Sequence, residues 1–250
     1  MNFLVTIALL PAVLLTIYIY KKDRVEREPV RLIVRLLVMG AISCIPASAM
    51  ELAITKGITL LDLRNPYFSA FLEAFVVAAL CEELVKYFFL RRTTWNNAAF
   101  DFQFDAIVYG VSVSLGFAAL ENVLYVTQSG VETGILRAVT SVPGHAIFGV
   151  FMGYFYGYAK LAEVQGRASE SREYLALSVL VPLLLHGMYD FIAFSMQISE
   201  LWMVAFFAFV ALLYLIGLRR VNRSAMEDRR ITASNARNTV ADWYEQFRQL

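Results

Sequence analysis

The sequence predicts an all-α fold: a polytopic transmembrane bundle of about seven helices, N-terminus outside and C-terminus cytoplasmic. Three observations predict it. Of 250 residues, 59% are hydrophobic and only 17% are charged, where a soluble domain usually carries about 25% charged residues. Seven segments approach the roughly 20 apolar residues needed to cross a bilayer. The basic residues between those segments fall mostly on one side of the membrane they imply.

The first segment, 2–20, resembles a signal peptide core but lacks a basic n-region and an A-x-A site, so it reads as a retained helix. Lys21, Lys22, Arg24 and Arg27 follow it, which puts its C-terminal end inside. The next segments are 32–54 and 68–90, the latter ending at Arg91-Arg92. Then come 104–126, 136–159 (ending before Lys160), 174–196 and 201–218, which ends at Arg219-Arg220. Of 22 Lys and Arg, 18 lie on the inner side, three (Lys56, Arg64, Arg137) lie outside, and Lys86 lies within a helix. A miscounted span would invert this bias, so the charges also support the number seven. Residues 1–220 form the transmembrane domain and 221–250 a cytoplasmic tail. In that tail Val240, Trp243, Tyr244, Phe247 and Leu250 recur at helical spacing, which fits either an amphipathic helix lying in the headgroup region or a partly disordered polar tail.

Composition also excludes several classes. Cys44 and Cys81 lie in apolar stretches and read as buried thiols, with no CxxC spacing. Neither a Gly-rich phosphate loop nor a basic nucleic-acid stripe is present, so the bilayer is the expected partner and nucleic acid is not.

Against this background the buried ionisable residues stand out. Glu82, Glu83 and Lys86 fall on the third helix, Glu121 on the fourth, His145 on the fifth, and His186 with Asp190 on the sixth. A charge at the bilayer centre costs about 2.5–3.5 kcal/mol on insertion scales, so such residues pair, line a cavity or carry function. Glu82 and Lys86 share a helix face, as do His186 and Asp190, and Phe117 with Glu121. At ~1.5 Å per residue, Glu121, His145, His186 and Asp190 come roughly 18–24 Å from the inner ends of their helices, and Glu82 about 13 Å. One polar chamber fed by four consecutive helices follows. Glu51, Asp105 and Arg137 sit near helix ends and read as interfacial or snorkelling.

The same residues form ordered motifs: Glu82-Glu83-Leu84-Val85-Lys86 (E-E-x-x-K), Phe117 to Glu121 (F-x-x-x-E), the isolated His145, and His186 to Asp190 (H-x-x-x-D). The set resembles the PrsW family of bacterial intramembrane proteases, relatives of the CAAX prenyl protease and bacteriocin-processing superfamily, over a motif core of residues 70–195. The resemblance implies hydrolysis of a membrane-anchored protein within or beside the bacterial plasma membrane. The family's best-known target is a membrane-bound anti-sigma factor, cut first in envelope-stress signalling.

Peptide hydrolysis needs an activated water, an oxyanion stabiliser and a proton for the leaving amine. Glu82 or Glu83 is the candidate general base. His145 and His186 would orient the water or donate to the oxyanion, with Asp190 orienting His186. Glu121 completes the polar shell, and Lys86 holds a glutamate in place. No cofactor is required by this reading, which favours metal-free water activation. A zinc site built from His145, His186 and a carboxylate such as Glu121 stays open beside it, although H-E-x-x-H is absent. The competing class is an ion- or proton-coupled transporter, since buried Glu, His and Asp also serve proton relays. Pro143 and Pro182, just before the two histidines, suit either class, but no inverted repeat is visible.

Overall fold

A computed structural model describes residues 3–61 and 63–231, and these are helical almost throughout. Among them there is no β-strand, only an isolated bridge between Phe102 and Arg230. The helices are α1 (Phe3–Lys22), α2 (Val30–Ile58), α3 (Pro66–Leu72), α4 (Leu80–Thr94), α5 (Gln103–Val139), α6 (Ser141–Val164), α7 (Ala168–Ser195) and α8 (Leu201–Met226). A π-helical stretch, Glu73–Ala79, joins α3 to α4 without a break. The aromatic spacing expected from Val240 to Leu250 lies outside the described residues, and α8 itself continues past residue 220 to Met226.

Five segments are long and apolar enough to span a membrane: Leu4–Lys22, Val30–Leu61, Gln103–Val164, Ala168–Ser195 and Leu201–Met226. Leu10, Leu14, Val38, Leu184, Val204 and Phe207 are all exposed on these helices, as faces solvated by lipid would be. The chain is thus a multi-pass membrane protein. The segment Pro66–Thr94 is helical too, but Glu82, Glu83, Lys86, Arg91 and Arg92 make it too polar to count among the five.

The 62-residue segment Gln103–Val164 does not run straight. Gly130 has φ 85° and ψ −173°, a conformation open to glycine and strained for other residues. Beyond it the chain doubles back: a Cβ on Gly134 would touch Val126, and Arg137 reaches Glu121 and Asn122. A further break at Thr140 leads into α6, which runs antiparallel to α5.

Glycines set how closely these helices meet. A Cβ on Gly153 would lie 2.2 Å from the Ala106 carbonyl oxygen, and one on Gly110 2.5 Å from that of Gly149. On the other side of α5, a Cβ on Gly116 would lie 2.0 Å from the Leu37 oxygen, and one on Gly40 2.0 Å from that of Val113. Small residues let transmembrane backbones approach where lipid offers no hydrophobic drive to association. The first half of α5 is accordingly the hub, buried continuously from Phe104 to Ala118. Gly116→Ala should therefore push α2 off α5 and cost about 1–3 kcal/mol, read as a lower unfolding temperature in detergent. Gly57→Ala, with open space around it, should be neutral or slightly stabilising.

Chain connections segregate to two ends. At one end Lys22 donates to Asn222 (2.7 Å), Trp95 to Glu163 (3.1 Å) and the Gln103 N–H to the Arg229 carbonyl (3.0 Å). At the other, Trp202 packs its ring near Tyr67 (6.1 Å) and Phe191 (5.6 Å). The Asn65 side chain caps α3 there, accepting from Tyr67 N and Phe68 N, with Pro66 at the first helical position.

Candidate active site

The π-helical stretch and α4 present two adjacent glutamates to the bundle interior. A π turn shifts the helix phase relative to an uninterrupted α-helix, and such turns recur at functional positions. The stretch packs on α7, where a Cβ on Gly187 would fall 2.3 Å from the Phe75 ring. The glycine beside His186 therefore lets the two elements close on each other.

The centre is the Lys86 ammonium, fully buried. It donates to Glu82 Oε2 (2.8 Å), Glu83 Oε1 (2.9 Å) and His145 Nδ1 (3.2 Å). Its fourth side lies 4.0 Å from the centre of the Phe117 ring, a cation–π contact in a place without bulk water. An ammonium only donates, so Nδ1 of His145 accepts and its Nε2–H donates to Glu121 Oε2 at 3.1 Å. Arg137 Nη2 donates to the same oxygen at 2.7 Å, and Arg137 Nε to Asn122 Oδ1 at 3.1 Å. The Asn122 amide donates in turn to the Ala8 carbonyl (2.8 Å), tying the group to α1.

His186 stacks on Phe148, with ring centres 4.8 Å apart. Its Nδ1 lies 2.9 Å from Glu83 Oε1 and its Nε2 3.1 Å from Asp190 Oδ2. A neutral imidazole has one N–H, so both contacts together need a doubly protonated ring or a proton shared with one carboxyl. The two histidine rings are 5.2 Å apart, edge to face.

The glutamates differ in what they face. Glu82 lines a cavity of about 770 Å³ together with Glu121, Arg137, His145, His186 and Asp190. The Glu83 side chain is 0% exposed, against 8% for Glu82, and its Oε2 is buried without a hydrogen-bond partner. The cavity extends past Glu51 and Thr55 of α2 to Met196 and Gln197, toward the end where α2 and α7 finish.

Glu82, Glu83, Lys86, Phe117, Glu121, His145, His186 and Asp190 thus come together in one place. Arg137 joins them, where its position near a helix end suggested an interfacial side chain. The reversal at Gly130 folds it inward, and that glycine is the one signal the sequence offers. Asp105 stays near a helix end, as expected, but does not reach out to solvent. It is 1% exposed, and its Oδ2 accepts the Asp101 and Phe102 N–H groups (3.1 and 2.7 Å) at the start of α5.

Glu82, Glu83, His145 and His186 each offer a ligand atom within 4.8 Å of the others. Two imidazoles and two carboxylates are the donor types of a His₂-carboxylate metal site, and Glu83 Oε2 is free. The Lys86 ammonium, however, already sits where Glu82, Glu83 and His145 converge, so a metal enters only if that ammonium moves aside. Glu121 lies outside this group of four and holds His145 from behind.

The sequence model described as the PrsW family intramembrane metalloprotease matches residues 28–216. Among similar proteins, Protease PrsW of Oceanobacillus iheyensis is 37% identical over 216 residues, covering 86% of this chain and 94% of the relative. Protease PrsW of Bacillus subtilis is 34% identical over 221 residues, covering 88% and 95%. That of Clostridioides difficile is 30% identical over 236 residues, covering 92% and 95%. No solved structure matches the chain.

Proposed function

The chain belongs to the PrsW family of intramembrane metalloproteases, and from that premise we propose that the polar cavity hydrolyses peptide bonds of membrane-anchored proteins. The observation that carries this reading is Glu82, a carboxylate at the wall of a cavity inside the bundle, fixed by Lys86 and flanked by two histidines. An anti-sigma factor cut near its membrane anchor is the proposed substrate, and the bacterial plasma membrane the proposed location. Seven crossings, with the N-terminus outside, are supported by the loop charges, the two-ended segregation of the connections and the reversal at Gly130. On that orientation the cavity faces the outer half of the membrane.

Water in the cavity gives a proton to Glu82, whose other oxygen stays bound to Lys86, and adds to the peptide carbonyl; Glu82 then passes that proton to the leaving amine as the C–N bond breaks. His186, stacked on Phe148 and held between Glu83 and Asp190, aligns the attacking water or donates to the developing oxyanion once one of those two contacts opens. Arg137 and the His145 Nε2–H, both now on Glu121, set the charge of the opposite wall. His145, His186 and Glu83 would hold a metal, zinc being the proposed ion, with Glu82 left as the base. When bound, it would supply Lewis-acid polarisation of the peptide carbonyl and a more acidic water.

Purified protein in detergent should cleave a single-span membrane substrate near its outer boundary. Chelation should abolish cleavage, and zinc should restore it. Activity that survives chelation would assign water activation to Glu82 alone. Ion flux in liposomes without any cleavage would sink the protease reading in favour of a carrier.

A further inference from the structure

Away from the cavity, three carboxylates meet at the end of the bundle where α1 finishes and α5 begins. Asp23 follows α1, Glu28 precedes α2, and Asp105 occupies the first turn of α5. They are 1%, 4% and 1% exposed. One oxygen from each lies within 4.8 Å of the others. Among the described residues, none of the three is in an ion pair with a lysine or arginine.

The hydrogen bonds they receive do not use up their oxygens. Tyr109 donates to Glu28 Oε2 at 2.6 Å, and the Asp101 and Phe102 N–H groups occupy Asp105 Oδ2. Asp105 Oδ1 and both oxygens of Asp23 are buried without a donor, and the Glu28 and Asp105 carboxyls lie close enough to share a proton. Backbone N–H groups of Val25, Glu26 and Glu28 face Asp23 but fall short of hydrogen-bond geometry. Asp101 and Asp228, which accepts the Phe104 N–H at 2.9 Å, add further negative charge, and Arg230 is held on Asp101 at 3.3 Å. Burial first pushes Asp23 up to about 6 and Glu28 up to about 7; Asp228 adds repulsion on Asp23, and Asp23 and Asp101 add it on Glu28. A buried cluster of this kind needs positive charge, as protons or as a cation.

We propose that Asp23, Glu28 and Asp105 form a binding site for a hard divalent cation of the magnesium or calcium class, separate from the protease cavity. The donors are all oxygen. Both histidines and both cysteines of the chain lie elsewhere, which disfavours zinc or copper. Oxygens 4.8 Å apart or less can share one ion at the roughly 2.0–2.6 Å that these cations require. The ion braces the loop between α1 and α2 against the start of α5. Gln103 N to the Arg229 carbonyl (3.0 Å) and Arg230 to Asp101 (3.3 Å) tie the segment after α8 to the same base.

The test uses the full chain, purified in detergent and stripped of metal at pH 8. Magnesium or calcium should raise Tm by at least about 3 °C, and manganese should bind saturably by electron paramagnetic resonance and be displaced by either. The shift should vanish in Asp23→Asn and persist in Glu83→Gln. No shift in the wild type, a shift that survives Asp23→Asn, or one lost only in Glu83→Gln overturns the proposal. If Asp23→Asn does not fold, pH decides. Raised carboxyl pKa values mean that the cation-free protein loses stability as pH climbs from the ordinary carboxyl range, about 4, up to about 6 to 7, and little above that. Protons then replace the cation at pH 5, and the shift should fade there. An equal shift at pH 5 and pH 8, or a pH-dependent loss that no cation rescues, overturns it as well.

Discussion

Glu82→Gln is expected to lower kcat for cleavage of a membrane substrate by about 10²–10⁴-fold, the range for removing a positioned general base. The amide keeps the size of the side chain and can still accept from Lys86, so folding should be little changed. What it loses is the capacity to take a proton from water. The choice of Glu82 over Glu83 rests on exposure. Glu82 lines the cavity, whereas Glu83 is closed off and spends Oε1 on both Lys86 and His186. Glu83→Gln should also impair cleavage, but with a lower Tm, because two buried donors lose their shared anion. Steady-state kinetics and thermal unfolding on the same preparations separate the two. Near-normal kcat in Glu82→Gln would move the base to Glu83 or take it out of this pair.

The parts of this arrangement that were legible in the sequence are those that lie within one helix. Glu82 with Lys86 and His186 with Asp190 are four residues apart, and a helix brings such pairs onto one face whatever its neighbours do. Contacts between helices were not legible. Lys86 to His145, Glu83 to His186 and His145 to Glu121 depend on how each helix is rotated, and hydropathy carries no phase for a helix polar on several sides. The π-helical stretch ahead of Glu82 removes the 3.6-residue period that would otherwise have predicted which glutamate faces the cavity. Arg137 illustrates a different limit. Its sequence position gives a depth near the membrane surface, but the turn at Gly130 brings it back onto Glu121. The small-residue seams of α5 were invisible for a similar reason: a glycine in a helix says little until a partner backbone lies 2.0 Å from its missing Cβ.

The largest effect on stability is expected from Lys86→Met. The side chain is fully buried, and its ammonium is shared by Glu82, Glu83 and His145. Methionine fills nearly the same volume without the charge. Glu83, 0% exposed, would keep only His186 as a donor, in a setting where water cannot substitute. Breaking a buried ion pair from one side costs about 3–5 kcal/mol, which for a chain of this size lowers Tm on the order of 10 °C. Lys86→Arg should not rescue it, because a planar guanidinium cannot take the place of a compact ammonium among three converging acceptors. Adding Glu83→Gln to Lys86→Met should recover part of the loss, since the stranded charge goes with it. The coupling between the two substitutions then measures the pair, as a double-mutant cycle does for residues in contact. Unfolding temperatures of the wild type, both single variants and the double variant in one detergent provide the test. A Lys86→Met protein as stable as wild type would mean that the two glutamates are neutralised by their own protons, and that Lys86 does not hold Glu82 ionised for catalysis.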